Sequence, residues 1–325
     1  LGSDGGGGVV VENGGTFTMK NGTISDNAVN GTGGTYYGGG GVDVNYGGTF
    51  TMEGGTISRN KYQGTQGSYV GGGGVHVRGN TSSDESYTPF IMKGGTISDN
   101  ETNFTGGGVY VGEGTTFTME GGTISNNKAF ATSSNRRGEG GGVYVYNGTF
   151  TMTGGEISGN RSNGSGAGVI LDGNGSFIMT GGKITGNTAN FSDQEKYSDS
   201  TDAGVYVCAK KLANFSVGGS AQITGNHVGQ RNSKTSNVYL SENTENSILK
   251  VMNVVSKFSE DAEIGVTTAS TPAESGIQIA QGKDGYVISA DDRGHFTPDA
   301  TDQNTVVFLK ENALYLGTHT HRKRR

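Results

Sequence analysis

The chain has 325 residues, a formal net charge of −6, 62 glycines, 3 prolines and one cysteine, Cys208. Collagen needs glycine at every third position with abundant proline, and Gly/Ser disorder would lack the Val-x-Val and Phe-x-Met alternation that recurs here, so both are excluded. The charge is spread along the chain and leaves no footprint for nucleic acid, one cysteine permits no internal disulfide, and no apolar run approaches the ~20 residues that cross a bilayer.

From the N-terminus, LGSDGGGG has neither initiator Met nor signal sequence and reads as the start of a mature or excised piece of a longer protein. A unit of three short strands follows: GGGV-x-V, then GTFTM, then GGTIS-x-N. Its clearest copies open at Gly39, Gly106 and Gly140 and end at Asn60, Asn127 and Asn160, and Gly6, Gly72, Gly166 and Ala203 open related units. The third-strand isoleucines are Ile24, Ile57, Ile97, Ile124, Ile157, Ile184 and Ile223, spaced by 33, 40, 27, 33, 27 and 39 residues. A minimal coil is therefore 27 residues, and longer coils carry insertions.

Self-similarity at this period marks a solenoid, in which each unit buries its apolar side only against its neighbours. Alternation in each strand sends Val42, Val44, Phe50, Met52 and Ile57 inward. The prediction is an all-β, single-stranded right-handed parallel β-helix of three sheets. Asn recurs three residues after each isoleucine, at Asn27, Asn60, Asn100, Asn127, Asn160, Asn187 and Asn226, where stacked amides can bond along the axis and the corner can take left-handed backbone. Coils are expected over residues 1–240, an irregular C-terminal β cap over 241–318 that ends in a hairpin of Val306 to Leu309 and Ala313 to Leu316, and a basic tail over 319–325.

Repeats reading GGGVYV, GTFTM and GGTISGN resemble bacterial right-handed parallel β-helix surface proteins. The order Ile-x-x-Asn then Gly-Gly-Gly-Val is distantly similar to the repeats of polymorphic outer-membrane adhesins, with Ile where those usually have Phe and Gly-Gly-Gly where they have Gly-Gly-Ala. The resemblance implies a bacterial protein, secreted or at the cell surface, often adhesive.

Two features are candidate binding elements. Tyr110, Tyr144, Tyr206 and Tyr239 take the outward place on the first strand, and tyrosine rings suit both sugar faces and protein interfaces. Insertions between the Asn and the next glycine triplet carry Tyr36, Tyr37, Tyr62, Tyr69, Arg136 and Arg137. Aromatic-bearing loops on a rigid scaffold are where solenoids usually meet partners, here carbohydrate or a cell-surface protein, with self-association into filaments as a further option. The bland alternative for both is packing.

Chemistry is sparser. Asp43 and His76 share the outward position on successive coils and are the alternative catalytic pair, for a polysaccharide lyase or hydrolase. No set of acids, bases and cation ligands clusters around them, so a non-enzyme is expected. Asp172-Gly-Asn174-Gly-Ser176 opens like a calcium loop but has Phe177 where glycine is required and Lys183 where the bidentate acid belongs, so neither a metal site nor a cofactor is expected. Three functional classes stay open: an adhesion or binding module, a polysaccharide-cleaving enzyme, and a structural stalk or filament subunit.

Overall fold

The computed structural model describes residues 6–31, 38–64, 71–79, 88–131, 138–189, 202–208, 214–229, 234–243, 248–299 and 304–318. They form a parallel β-helix. Each strand pairs in register with its counterpart one coil along: Phe50 lies beside Phe17 and Phe90, and Ile57 beside Ile24 and Ile97.

Each of the seven coils that open from Val9 to Val205 has four strands, one more than the repeat suggested. The coil from Val42 runs Val42–Val44, Thr49–Met52, Thr56–Ser58 and then Lys61–Gly64. The fourth is short and polar outside, with Lys61 beside Glu101 and Lys128 beside Arg161, so it carries no repeat signature. Three large sheets result, of 17, 11 and 8 strands. The second strands build the 11-stranded sheet and the fourth strands the 8-stranded one. First and third strands fuse into the largest sheet because one long strand, Glu263–Thr268, pairs with both Gln222–Thr224 and Val238–Leu240.

Inward alternation holds throughout. Val42, Val44, Phe50, Met52 and Ile57 are fully buried, as are their equivalents in later coils. The phenylalanines stack face to face from Phe17 through Phe50, Phe90, Phe117, Phe150 and Phe177 to Phe215, with centroids 4.6 to 5.4 Å apart. That distance is the strand spacing itself, so parallel register sets the aromatic stack.

The corners divide into two kinds. Three residues join the second strand to the third in six coils and two, 220–221, in the seventh, where the second strand runs on to Gly219; two residues join the third to the fourth throughout. Length varies at the other two corners. Between fourth strand and next first strand the chain takes six residues (103–108) or up to fifteen (190–204). Between first and second strands it takes two (147–148) or up to ten (78–87). Insertions were expected at the former corner alone; the ten residues at 78–87 account for part of the 40-residue spacing from Ile57 to Ile97.

The asparagine ladder is continuous. Asn60 Nδ2 donates to Asn100 Oδ1 at 3.0 Å and to the carbonyl of Ile24 at 2.9 Å, and the pattern repeats at Asn100, Asn127, Asn160, Asn187 and Asn226. These side chains are bonded on every side in a dry interior, which explains how an amide survives at 0 % exposure. The left-handed residue at this corner is the one before the asparagine, at Asp26 (φ 60°), Arg59 (φ 54°), Asp99 (φ 56°) and Gly159 (φ 63°), and not the asparagine itself. The amide was the visible signal, but it belongs to the ladder.

Parallel stacking continues beyond residue 240. Met252–Phe258 pairs with Asn214–Gly219, and Phe296–Pro298 with Glu263–Thr268. The chain then closes with an antiparallel hairpin, Thr305–Lys310 and Ala313–Thr318.

Candidate functional site

The outward ladder of the first strands reads Val10, Asp43, His76, Tyr110, Tyr144, Ile170, Tyr206, Tyr239 in strict register. These side chains do point away from the axial core. They are nevertheless covered: Tyr110 is 2 % exposed and Tyr144 6 %, and with Ile170 they form a separate apolar cluster flanked by Tyr146 and Tyr206. The glycine that opens each coil lies across this ladder. A methyl on Gly140 would stand 2.8 Å from Tyr144 Cβ, and one on Gly166 2.6 Å from Ile170 Cβ. The first glycine of the triplet lets the incoming chain press on the ring row, and a side chain there would lift it away.

The expected open tyrosine face is therefore closed over Tyr110 and Tyr144. Their rings stack on each other at 5.5 Å, and Tyr110 stacks on His76 at 5.2 Å. Tyr144 donates its hydroxyl to Asp172 at 2.8 Å, and burial, reinforced by the Asp172 charge, pushes its ionisation well above the usual phenol range. Asp172, the first residue of the failed calcium motif, is thus engaged as an acceptor. Tyr206 and Tyr239 are half-buried, 6.0 Å apart and tilted, and burial likewise raises Tyr206. Tyr62 belongs to a fourth strand and is buried edge-on against Phe104 at 6.0 Å. Tyr36, Tyr37, Tyr69, Arg136 and Arg137 lie outside the described residues.

Asp43 and His76 do meet. His76 Nδ1 sits 2.7 Å from Asp43 Oδ1, and Asn45 Nδ2 donates to Asp43 Oδ2 at 2.7 Å. Both members of the pair are only 1 % exposed, and His76 Nε2 has no hydrogen-bond partner among the described residues. A catalytic pair needs a substrate within reach of that nitrogen. The geometry of the dyad is present, and both side chains are covered.

A feature with no repeat signature lies at the C-terminal end. A cavity of about 290 Å³ is lined by Lys234, Thr235, Thr267, Thr271, Asp299 and Leu316, among others. Asp299 accepts from the Asn237 backbone N–H at 2.7 Å, from Asn237 Nδ2 at 2.5 Å and from Thr267 Oγ1 at 2.9 Å. Asn237 in turn accepts from Asn226, so Asp299 terminates the asparagine ladder. A carboxylate can serve as the last rung because it only accepts, and among the described residues no further rung receives a bond from it. Burial raises its ionisation, and the bonds from Asn237 and Thr267 only partly oppose that. Asn237 could have been found from its place before the Val238–Leu240 strand, but Asp299 is 62 residues further on and gave no local signal.

Opposite charges meet on neighbouring coils at two exposed places. Arg59 grips Asp26 through two bonds of 2.9 and 2.8 Å, and Lys93 lies 4.0 Å from Glu53. Among the described residues no three His, Cys, Asp or Glu side chains gather to hold a metal, and no helix is long and apolar enough to cross a membrane.

Fold and site together define a parallel β-helix solenoid with an outer ladder covered from Asp43 to Ile170 and a hydroxyl-lined end cavity. No family model matches the chain, and it matches neither a curated protein nor a solved structure.

Proposed function

We propose that this protein is an exported adhesion or binding module, a rigid β-helical scaffold that meets carbohydrate or protein partners along its variable corners. One observation carries the reading: the third-to-fourth corner always takes two residues and the second-to-third corner takes three in six of seven coils, while the other two vary from two to ten and from six to fifteen residues. Constant corners preserve the axial stack. Variable connections can change without disturbing it, which is how a scaffold accommodates recognition. With Tyr110 and Tyr144 covered, recognition moves from the tyrosine row to those corners, where Tyr36, Tyr37, Tyr69, Arg136 and Arg137 fall in the sequence.

The test shortens residues 130–142 and 190–204 to the six-residue length of 103–108, and compares glycan-array and cell-surface binding with the parent. Lost binding at an unchanged melting temperature supports the reading. Undiminished binding by the shortened protein would leave the corners without a role. The enzyme alternative has its own assay, since incubation with polygalacturonate or alginate, with and without calcium, should release no unsaturated products; turnover abolished by Asp43→Asn would reverse the ranking.

A further inference from the structure

The two ends of the solenoid differ. At the C-terminal end Asp299 closes the asparagine ladder and an antiparallel hairpin closes the 11-stranded sheet. At the N-terminal end the strands Val9–Val11, Thr16–Met19, Thr23–Ser25 and Ala28–Gly31 each pair on one side only among the described residues. Val9, Phe17 and Ile24 are only half-buried, whereas their counterparts in the next coil, Val42, Phe50 and Ile57, are sealed at 0 %. Val10, at 44 %, is one of two exposed large apolar side chains among the described residues. Phe17 stacks on Phe50 through one face.

The polar groups at this end have a direction. Asn27 donates from its backbone N–H and from Nδ2 to Asn60 Oδ1, at 3.1 and 2.8 Å. Its own Oδ1 receives no bond from a described residue, although every later rung accepts two. The open end thus asks for an amide N–H pair above Asn27, a backbone carbonyl such as Ile24 supplies to Asn60, and apolar side chains over Val9, Phe17 and Ile24.

A second copy does not supply these. Its C-terminal end presents Asp299, which only accepts, behind an antiparallel hairpin. Head to head, a two-fold axis would run the strands antiparallel. The four sides of the coil differ in strand length and connection, so such a copy could pair along one side at a time.

We propose that the N-terminal end is an interaction surface for a parallel β-helical coil of the same repeat, one whose third strand ends in Asn, and not for a second copy of this chain. Such a coil extends all the sheets, donates its asparagine pair into Asn27 Oδ1 and covers Phe17 with a ring at strand spacing. It continues the coil-on-coil interface already repeated along the molecule.

The experiment places a copy of residues 39–71 immediately before Gly6 of the full chain and measures hydrogen exchange, protease resistance and thermal unfolding against the parent. A docked coil should slow exchange at Thr16–Met19 roughly tenfold and raise the unfolding midpoint. Changing the copied asparagine, the counterpart of Asn60, to Ala should lose much of that gain. Sedimentation of the parent should show a monomer at all concentrations. A protease-sensitive extension with parental exchange would overturn the proposal, as would a parent dimer that Val10→Asp converts to monomer, because the surface would then serve self-association.

Discussion

At Asn127 one side chain holds three partners: its Nδ2 donates to Asn160 Oδ1 and the Ile97 carbonyl, and its Oδ1 accepts from Asn100. Asn127→Ala strands all of them in a site with no access to water, and a lost buried partner costs ~1–3 kcal/mol each before relaxation. Chemical denaturation should report a drop of about 3 kcal/mol or more. Asp299 behaves differently. Its folded-state ionisation lies above the ordinary 3.8, so the stability it contributes is fully present below that pH and is lost as pH rises through the folded value. An asparagine there still accepts both bonds from Asn237, as the other rungs do. Asp299→Asn should therefore raise the melting temperature at neutral pH, with the gain vanishing below about pH 4. A gain that persists at acid pH would place its cause outside the carboxyl. Tyr144 has the same sign at the alkaline end of the scale: its ionisation is raised, so stability falls once the pH passes the ordinary 10.0, and Tyr144→Phe should unfold less steeply in alkali.

Elements here are stable only in stacks. A three-residue strand such as Thr123–Ser125 has no autonomous stability, yet Ile124 is sealed between Ile97 and Ile157. Ile124→Asp buries a charge in mid-stack at a cost of several kcal/mol, and a protein that melted like the parent would reject the register. Glycine at the middle of the triplet has a separate cause. A methyl on Gly107 would lie 2.4 Å from the Gly141 carbonyl oxygen and 2.6 Å from the backbone of Lys128, because the fourth strand passes over it. Gly107→Ala thus opposes two backbones that cannot both yield, and should lower the melting temperature more than Gly114→Ala, where the space is open apart from one contact at 3.9 Å and only the positive φ opposes. The triplets were legible as punctuation; the overlying strand that requires them was not, since its first position changes from Lys61 to Glu101, Lys128, Arg161 and Thr188 without a constant residue.

On the scale of the whole molecule, stability is a sum of coil terms and nearest-neighbour interfaces. Among the described residues the first coil pairs on one side only, and its Val9, Phe17 and Ile24 are half-buried where their later counterparts are sealed. Hydrogen exchange should accordingly begin at Thr16–Met19 and reach Thr149–Met152 last among the second strands. Uniform exchange along that sheet would mean that the solenoid opens as one unit. The closed C-terminal end makes the gradient one-sided.

Composition and periodicity determined the architecture, because a side-chain alternation of two, repeated with Gly and Asn at fixed places, has one way to bury Val42, Phe50 and Ile57 at once. The inward core, the asparagine ladder and the terminal hairpin are all local patterns and could be read directly. Tertiary structure alone decided which outward residues meet solvent. Alternation places Tyr110 and Tyr144 off the axis, but whether the row is open depends on where the incoming glycine segment crosses it, and it crosses directly above. The same holds for Asp43 and His76, brought together by register and then sealed, and for Asp299, carried by the cap to the end of a ladder that begins 272 residues earlier, at Asn27. Strand periodicity specifies direction from the axis; exposure is set by contacts between segments far apart in the chain.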